Sequence, residues 1–147
     1  MEDTRINFET AKLAKEKGFN EREHYFYKVK SENDIELYGC TKKQLVGFKG
    51  YAPIYHKVRD YHTNKEKLNA KLYRCSAPTQ SLLAKWLREK YNLYTESQMY
   101  IEEGLYKFKY DIKSDFEYDL IVLKEKYNFS TYEEALEIGL QEALKLI

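Results

Sequence analysis

The amino-acid sequence predicts one α+β domain spanning residues 1–147, with an antiparallel sheet, a hairpin plus a three-stranded meander, packed by N-terminal, central and C-terminal helices. Three observations lead there. Stripes of apolar residues at helical spacing, bounded by capping residues, occur near the start, in the middle and at the end of the chain. Runs of alternating apolar and polar residues, broken by short polar turns, lie between them. The length of 147 residues is enough to bury roughly two thirds of the unfolded surface, so no metal or disulfide staple is needed.

The first helix lies in "NFETAKLAKEKGF", with Asn7 as N-cap, Phe8, Ala11 and Ala14 as its apolar side, and Gly18 as the left-handed residue that ends it before Phe19. "HYFYKVK" and "DIELY" alternate as strands around the turn "SEND" and form the hairpin. Residues 39–75 are read as a basic insertion. Thr41 and Gln44 have capping-box spacing, and Pro53 precedes Ile54, Val58 and Tyr61 at helical intervals, so two short helices are expected. "NKEKLNAKLYRC" fits either a further helix or a short strand.

The central helix is expected from Pro78 to Tyr91, capped by Ser76 or Ala77, with Pro78 in its first turn where a missing N–H costs little. Leu82, Leu83, Trp86, Leu87 and Lys90 or Tyr91 form its stripe. Leu83, Trp86 and Leu87 are the expected core residues, which leaves Lys85 and Arg88 facing outward. "LYTESQMYIE", "LYKFKYDI" and "FEYDLIVLK", joined by "EEG" and "KSD", make the meander. In its middle strand Tyr106, Phe108, Tyr110 and Ile112 alternate with Leu105, Lys107, Lys109 and Asp111, which implies one buried face. The closing helix has a Ser130 to Glu133 capping box and a stripe of Leu136, Leu140, Ala143, Leu144 and Ile147.

Average charge hides a strong partition. Residues 1–38 carry 7 basic and 9 acidic side chains, residues 39–91 carry 12 and 3, and residues 92–147 carry 6 and 12, within a net charge of +1. Such asymmetry points to a polyanionic partner on the middle segment. The candidate binding residues are Lys42, Lys43, Lys49, Lys57, Arg59, Lys65, Lys67, Lys71, Arg74, Lys85 and Arg88. They interleave with Phe48, Tyr51, Tyr55, Tyr61, Tyr73 and Trp86, a combination that lets cations hold phosphates while rings stack on bases. Tyrosine is abundant, at 15 residues, and in the C-terminal third its alternation reads as sheet.

No P-loop, dinucleotide fingerprint, nucleophile elbow or HExxH is present, so a non-enzymatic protein without cofactor is expected. His24, His56 and His62 lack metal-ligand spacing, and Cys40 and Cys75 form no CxxC pair, so no metal site is expected and both thiols are read as reduced. The adjacent pairs Glu102 with Glu103 and Glu133 with Glu134 suit a turn and a first helical turn. "GFKG", Gly47 to Gly50, has the GxxG form of the KH module, a four-residue match of low specificity. The opening residues show no basic and apolar leader, and no apolar run is long enough to cross a bilayer, so a cytoplasmic location is expected.

The segments Asn7 to Phe19, Ala77 to Leu93 and Thr131 to Ile147 resemble a family of small uncharacterised bacteriophage and prophage proteins. Ala77, Pro78, Trp86, Arg88, Glu89, Lys90 and Tyr91 carry the resemblance, which covers about a third of the chain and leaves residues 39–75 unmatched. The resemblance implies a phage setting, inside a bacterial host cell, and assigns no catalytic residues. The expected function is therefore an accessory protein that acts by binding, inhibiting a host nucleic-acid-guided defence complex in the manner of an anti-CRISPR, with that ribonucleoprotein or its guide RNA as partner. A stand-alone RNA- or DNA-binding protein of phage replication or regulation is the alternative, and a small-molecule sponge a further one.

Overall fold

The computed structural model describes residues 3–19, 21, 25–31, 34–39, 73–116 and 119–147. They form an α+β structure in the order α1 (Phe8–Glu16), β1 (Tyr25–Ser31), β2 (Asp34–Gly39), β3 (Tyr73–Ser76), α2 (Gln80–Tyr91), β4 (Leu93–Glu102), β5 (Leu105–Phe116), β6 (Asp119–Phe129) and α3 (Tyr132–Lys145). The hairpin and the meander lie in two separate antiparallel sheets, ordered β2-β1-β3 and β4-β5-β6. The chain divides accordingly into two compact units, one made of Asn7–Pro78 and one of Met1–Ile6 with Thr79–Ile147.

In the Asn7–Pro78 unit the ends of α1 follow from its sequence. The Asn7 side chain accepts from the Thr10 N–H at 2.9 Å. At the other end the Phe19 N–H reaches the Ala14 carbonyl and the Gly18 N–H reaches that of Lys15, with Gly18 at φ 88°. These are the two bonds of a Schellman ending, and the apolar residue after the glycine, Phe19, is buried as that motif favours. Ala11, Ala14 and Thr10 form the buried side of α1, and Phe8 meets Tyr27 edge to face at 5.6 Å. The stretch whose pattern left helix and strand open supplies β3, whose residues pair with Phe26–Val29. The two short helices expected between residues 39 and 72 fall outside the described residues.

Strand β3 also corrects the start of the central helix. Ser76 stands in the strand opposite Phe26, and the Ala77 N–H continues the pairing to the Tyr25 carbonyl at 2.9 Å. Neither residue caps a helix. The N-cap is Thr79, whose side chain accepts from the Leu82 N–H, and Pro78 precedes α2 rather than opening it. A local pattern misplaces this boundary because β3 is held by partners some fifty residues away in sequence.

In the second unit the 4–6 segment adds a bridge between Arg5 and Thr79, and the Gln80 N–H donates to the Thr4 carbonyl at 2.8 Å. Helix α3 lies over β4 and β5 and meets β6 only sparsely. Its Gly139 sits where a Cβ would come 3.0 Å from Thr95 Cγ2 and from Tyr110 Cβ and Cγ, so the glycine sets how closely helix and sheet approach. Leu83, Leu87, Tyr110, Ile112, Leu140 and Leu144 are almost wholly buried in this unit. Each such side chain contributes about 1.5–3 kcal/mol of hydrophobic stabilisation, an upper figure because unfolded chains are partly compact.

Two further boundaries move. The C-terminal helix is capped by Thr131, which accepts from the Glu134 N–H at 3.1 Å, while the Glu134 carboxylate accepts from the Ser130 N–H at 3.0 Å. The capping box thus stands one residue beyond the expected Ser130 and Glu133. "KSD" is no turn: Lys113 to Asp115 stay paired in β5, opposite Val122, Ile121 and Leu120. The β4–β5 turn is as expected, with Glu103 at φ 51° and Gly104 at φ 77°, the left-handed pair of a two-residue hairpin.

Candidate partner-binding surface

Helix α2 carries the part of the candidate surface that the structure brings together. Its buried side is Gln80, Leu83, Trp86 and Leu87, and its exposed side is Ser81, Lys85, Arg88, Glu89 and Asn92, a stripe at helical spacing. Two anchors fix that orientation. At the start, the Gln80 side chain donates to the Glu137 carboxylate at 2.9 Å and to the Glu133 carbonyl at 3.0 Å, both on α3. At the end, Asn92 takes φ 57°, its N–H returns to the Arg88 carbonyl, and its side-chain amide donates to the Asp115 carbonyl at 3.0 Å. A left-handed asparagine closes the helix here without a glycine.

The expected burial of Leu83, Trp86 and Leu87 holds, and Lys85 and Arg88 do face outward. The side chain of Lys85 is 57% exposed and lies 3.8 Å from Glu89, a surface pair one helical turn on, worth little. Arg88 has no ion pair among the described residues, so its guanidinium is open to a phosphate or carboxylate. Lys90 turns instead toward rings, 5.3 Å from the Trp86 centroid and 5.6 Å from that of Tyr91. Trp86 and Tyr91 meet edge to face at 5.1 Å, so this end of the helix is an aromatic platform with a cation above it.

Arg74 belongs to β3, opposite Lys28 in the register. Lys42, Lys43, Lys49, Lys57, Arg59, Lys65, Lys67 and Lys71 lie outside the described residues. So do Cys40, the three histidines and the Gly47 to Gly50 stretch. Among the described residues no three His, Cys, Asp or Glu side chains gather as a metal site, and no helix is long and apolar enough to cross a membrane.

The lysines of the meander are arranged differently. In the β4-β5-β6 register, Glu96, Gln98, Tyr100 and Glu102 share one face with Lys113, Lys109 and Lys107, and acids hold those lysines. Lys113 lies 3.0 Å from Glu96 and 3.7 Å from Asp111; Lys109 lies 3.1 Å from Asp111 and 3.6 Å from Glu125; Lys107 pairs with Glu102. The hydrogen bond to Asp111 raises the Lys109 ammonium above its ordinary value, and the bond to Glu102 does the same for Lys107. Tyr127 completes the arrangement with its ring 5.1 Å from Lys109 and its hydroxyl bonded to Glu125. This face satisfies its own charges and offers a phosphate no free cation from those three lysines.

Burial in β5 also departs from simple alternation. Tyr110 and Ile112 are buried beneath α3 as expected, yet Tyr106 on the same face is 68% exposed, and Asp111 on the opposite face is buried. Helix α3 starts at Tyr132, short of the hairpin tip, which leaves Met99, Ile101 and Tyr106 uncovered; Leu105, on the opposite face, is exposed as well. Sequence reasoning placed a strand in "FEYDLIVLK" without singling out its apolar run, yet Leu120, Ile121, Val122 and Leu123 of β6 are all exposed. The available signal was the run itself, four apolar residues without alternation in an antiparallel strand. No family model matches the chain, and no curated protein or solved structure matches it significantly.

Proposed function

We propose that the protein acts by binding, as a phage accessory protein that inhibits a host nucleic-acid-guided defence complex, with the basic middle of the chain as its contact surface. The observation that supports this reading most directly is the outward presentation of Lys85 and Arg88 from a helix whose other side is fixed in the core. They stand in the segment with 12 basic and 3 acidic side chains, whereas Lys107, Lys109 and Lys113 are neutralised within their own sheet. Exposed cations attract polyanions from a distance and lose that attraction in salt. The defence-complex target rests on the resemblance to phage proteins.

Tagged protein recovered from a phage-infected bacterial host, with and without nuclease treatment, tests this. A protein partner that survives nuclease supports inhibition of a ribonucleoprotein. Recovery of nucleic acid alone replaces that reading with a stand-alone RNA- or DNA-binding protein. Lys85→Glu with Arg88→Glu should abolish capture, while Lys107→Glu with Lys109→Glu should not. Equal loss from both pairs would count against the basic middle as the contact surface.

A further inference from the structure

The geometry points to the open end of the β4–β5 hairpin as the seat of a basic amphipathic helix from a partner protein. Met99, Ile101 and Tyr106 are 59%, 65% and 68% exposed. They share one face, since Met99 stands opposite Phe108 and Ile101 opposite Tyr106, and α3 covers the same face further along at Tyr110 and Ile112. Phe129 of β6 lies opposite Phe108, and α3 begins three residues later at Tyr132, itself 45% exposed. Three residues of chain span at most about 10 Å, so Tyr132 borders the row of Met99, Phe108 and Phe129. The patch therefore begins where the helical layer stops.

Shape selects a helix as occupant. The exposed side chains stand out from the sheet rather than along its edge, so what covers them adds a layer, not a strand. Two neighbouring strands make a strip about 10 Å wide, the diameter of a helix, and α3 already covers β4 and β5 in that way. Charge selects a basic one. Glu103 in the hairpin turn and Glu133 and Glu134 in the first turn of α3 are all exposed at this end. Glu134 is engaged by the Ser130 N–H, whereas Glu103 and Glu133 have no ion pair among the described residues. Lys107 is held by Glu102 on the opposite face, and Lys126, on the patch's own face, lies 5.8 Å from the Phe129 ring at its β6 side. Acids thus outnumber cations around the patch, and lysine or arginine flanking an apolar stripe complements them. The other uncovered run, Leu120–Leu123, lies between Asp119 and Lys124, so its surroundings favour neither sign. This contact is independent of the polyanion reading of Lys85 and Arg88.

Fluorescence anisotropy of a labelled synthetic helix, leucine along one side and lysine along the other, titrated with the full-length, nuclease-treated chain, tests the seat. A dissociation constant on the order of 10 µM is expected, rising with salt. Replacing the peptide's lysines by glutamate should weaken binding at least about ten-fold, as should Ile101→Ser with Tyr106→Ser in the protein. Glu103→Gln with Glu133→Gln should weaken it about three-fold, and Ile121→Ser with Val122→Ser should leave it unchanged. All these positions are exposed, so circular dichroism should show every variant folded. Absence of saturable binding up to about 1 mM overturns the assignment, and so does a glutamate peptide that binds equally well. Equal loss from the Ile121 and Val122 variant would overturn it too. Sedimentation equilibrium of the chain alone gives the remaining outcome: a dimer that Ile101→Ser with Tyr106→Ser dissolves would give the patch to a second copy and overturn the partner helix.

Discussion

Gly139→Ala sets two effects of known sign against each other. In an α-helix interior, alanine is favoured over glycine by about 1 kcal/mol, because glycine loses more backbone freedom on folding. Against that, the new methyl would stand 3.0 Å from Thr95 Cγ2 and from Tyr110 Cβ and Cγ, well inside the roughly 3.5–4.0 Å optimum for carbon contacts. Tyr110 has little room to yield: it is buried in the middle strand of its sheet, with Phe129 against its ring at 5.8 Å. Overpacking of this kind costs about 1–3 kcal/mol. The net expectation is a loss of about 1 kcal/mol, or roughly 2–4 °C in the melting midpoint. Urea denaturation followed by circular dichroism measures it. Thr95→Ser removes one of the three contacting atoms, so in a double-mutant cycle it should recover part of the loss, with a coupling of about 0.5 kcal/mol. Stabilisation by Gly139→Ala, or a coupling of zero, would refute the close approach of α3 to the sheet.

Trp86→Ala should cost about 3–5 kcal/mol, and the native emission of this sole tryptophan should be blue and shift red on unfolding. Lys85→Glu with Arg88→Glu should leave stability within about 0.5 kcal/mol, checked by the same denaturation curves. Thr131→Ala should cost about 1 kcal/mol through the Glu134 N–H left without its cap. Hydrogen bonds from Lys124 and Lys145 hold the Glu142 carboxyl below its ordinary value, so its contribution is present above the unfolded pKa and lost as pH falls through the folded one. The stability gap between the native chain and Glu142→Gln should therefore narrow as urea curves are taken from about pH 5 to pH 3. A gap that widens toward acid would reverse the assigned sign.

What was legible in the sequence is what local rules govern. The Asn7 cap, the Gly18 ending, the Glu103 and Gly104 turn and the outward direction of Lys85 and Arg88 all follow from spacing within a few residues. What escaped depends on distant partners. Ser76 reads as a cap until β1 claims it as a strand residue. Two sheets rather than one follow from which strands pair, and no residue in the hairpin or the meander announces that. Tyr106 lacks its expected burial because α3 begins short of the hairpin tip, whereas Asp111 is buried between Lys109 and Lys113 on the face that α3 does not cover. The exposed run in β6 was ambiguous for a related reason: an apolar stretch without period looks the same whether a layer covers it or leaves it open.

The bridge between Arg5 and Thr79 has a consequence for synthesis. The unit made of Met1–Ile6 and Thr79–Ile147 is interrupted by all of Asn7–Pro78, so its first six residues leave the ribosome long before anything they pair with exists. The inserted unit has all its strands once Pro78 emerges, and it can fold while translation continues. The interrupted unit has to wait for Thr79 and Gln80 to capture the 4–6 segment, then for β6 and α3 to complete its core. A nascent chain stalled within β5 would thus hold a finished insert beside an unfinished host.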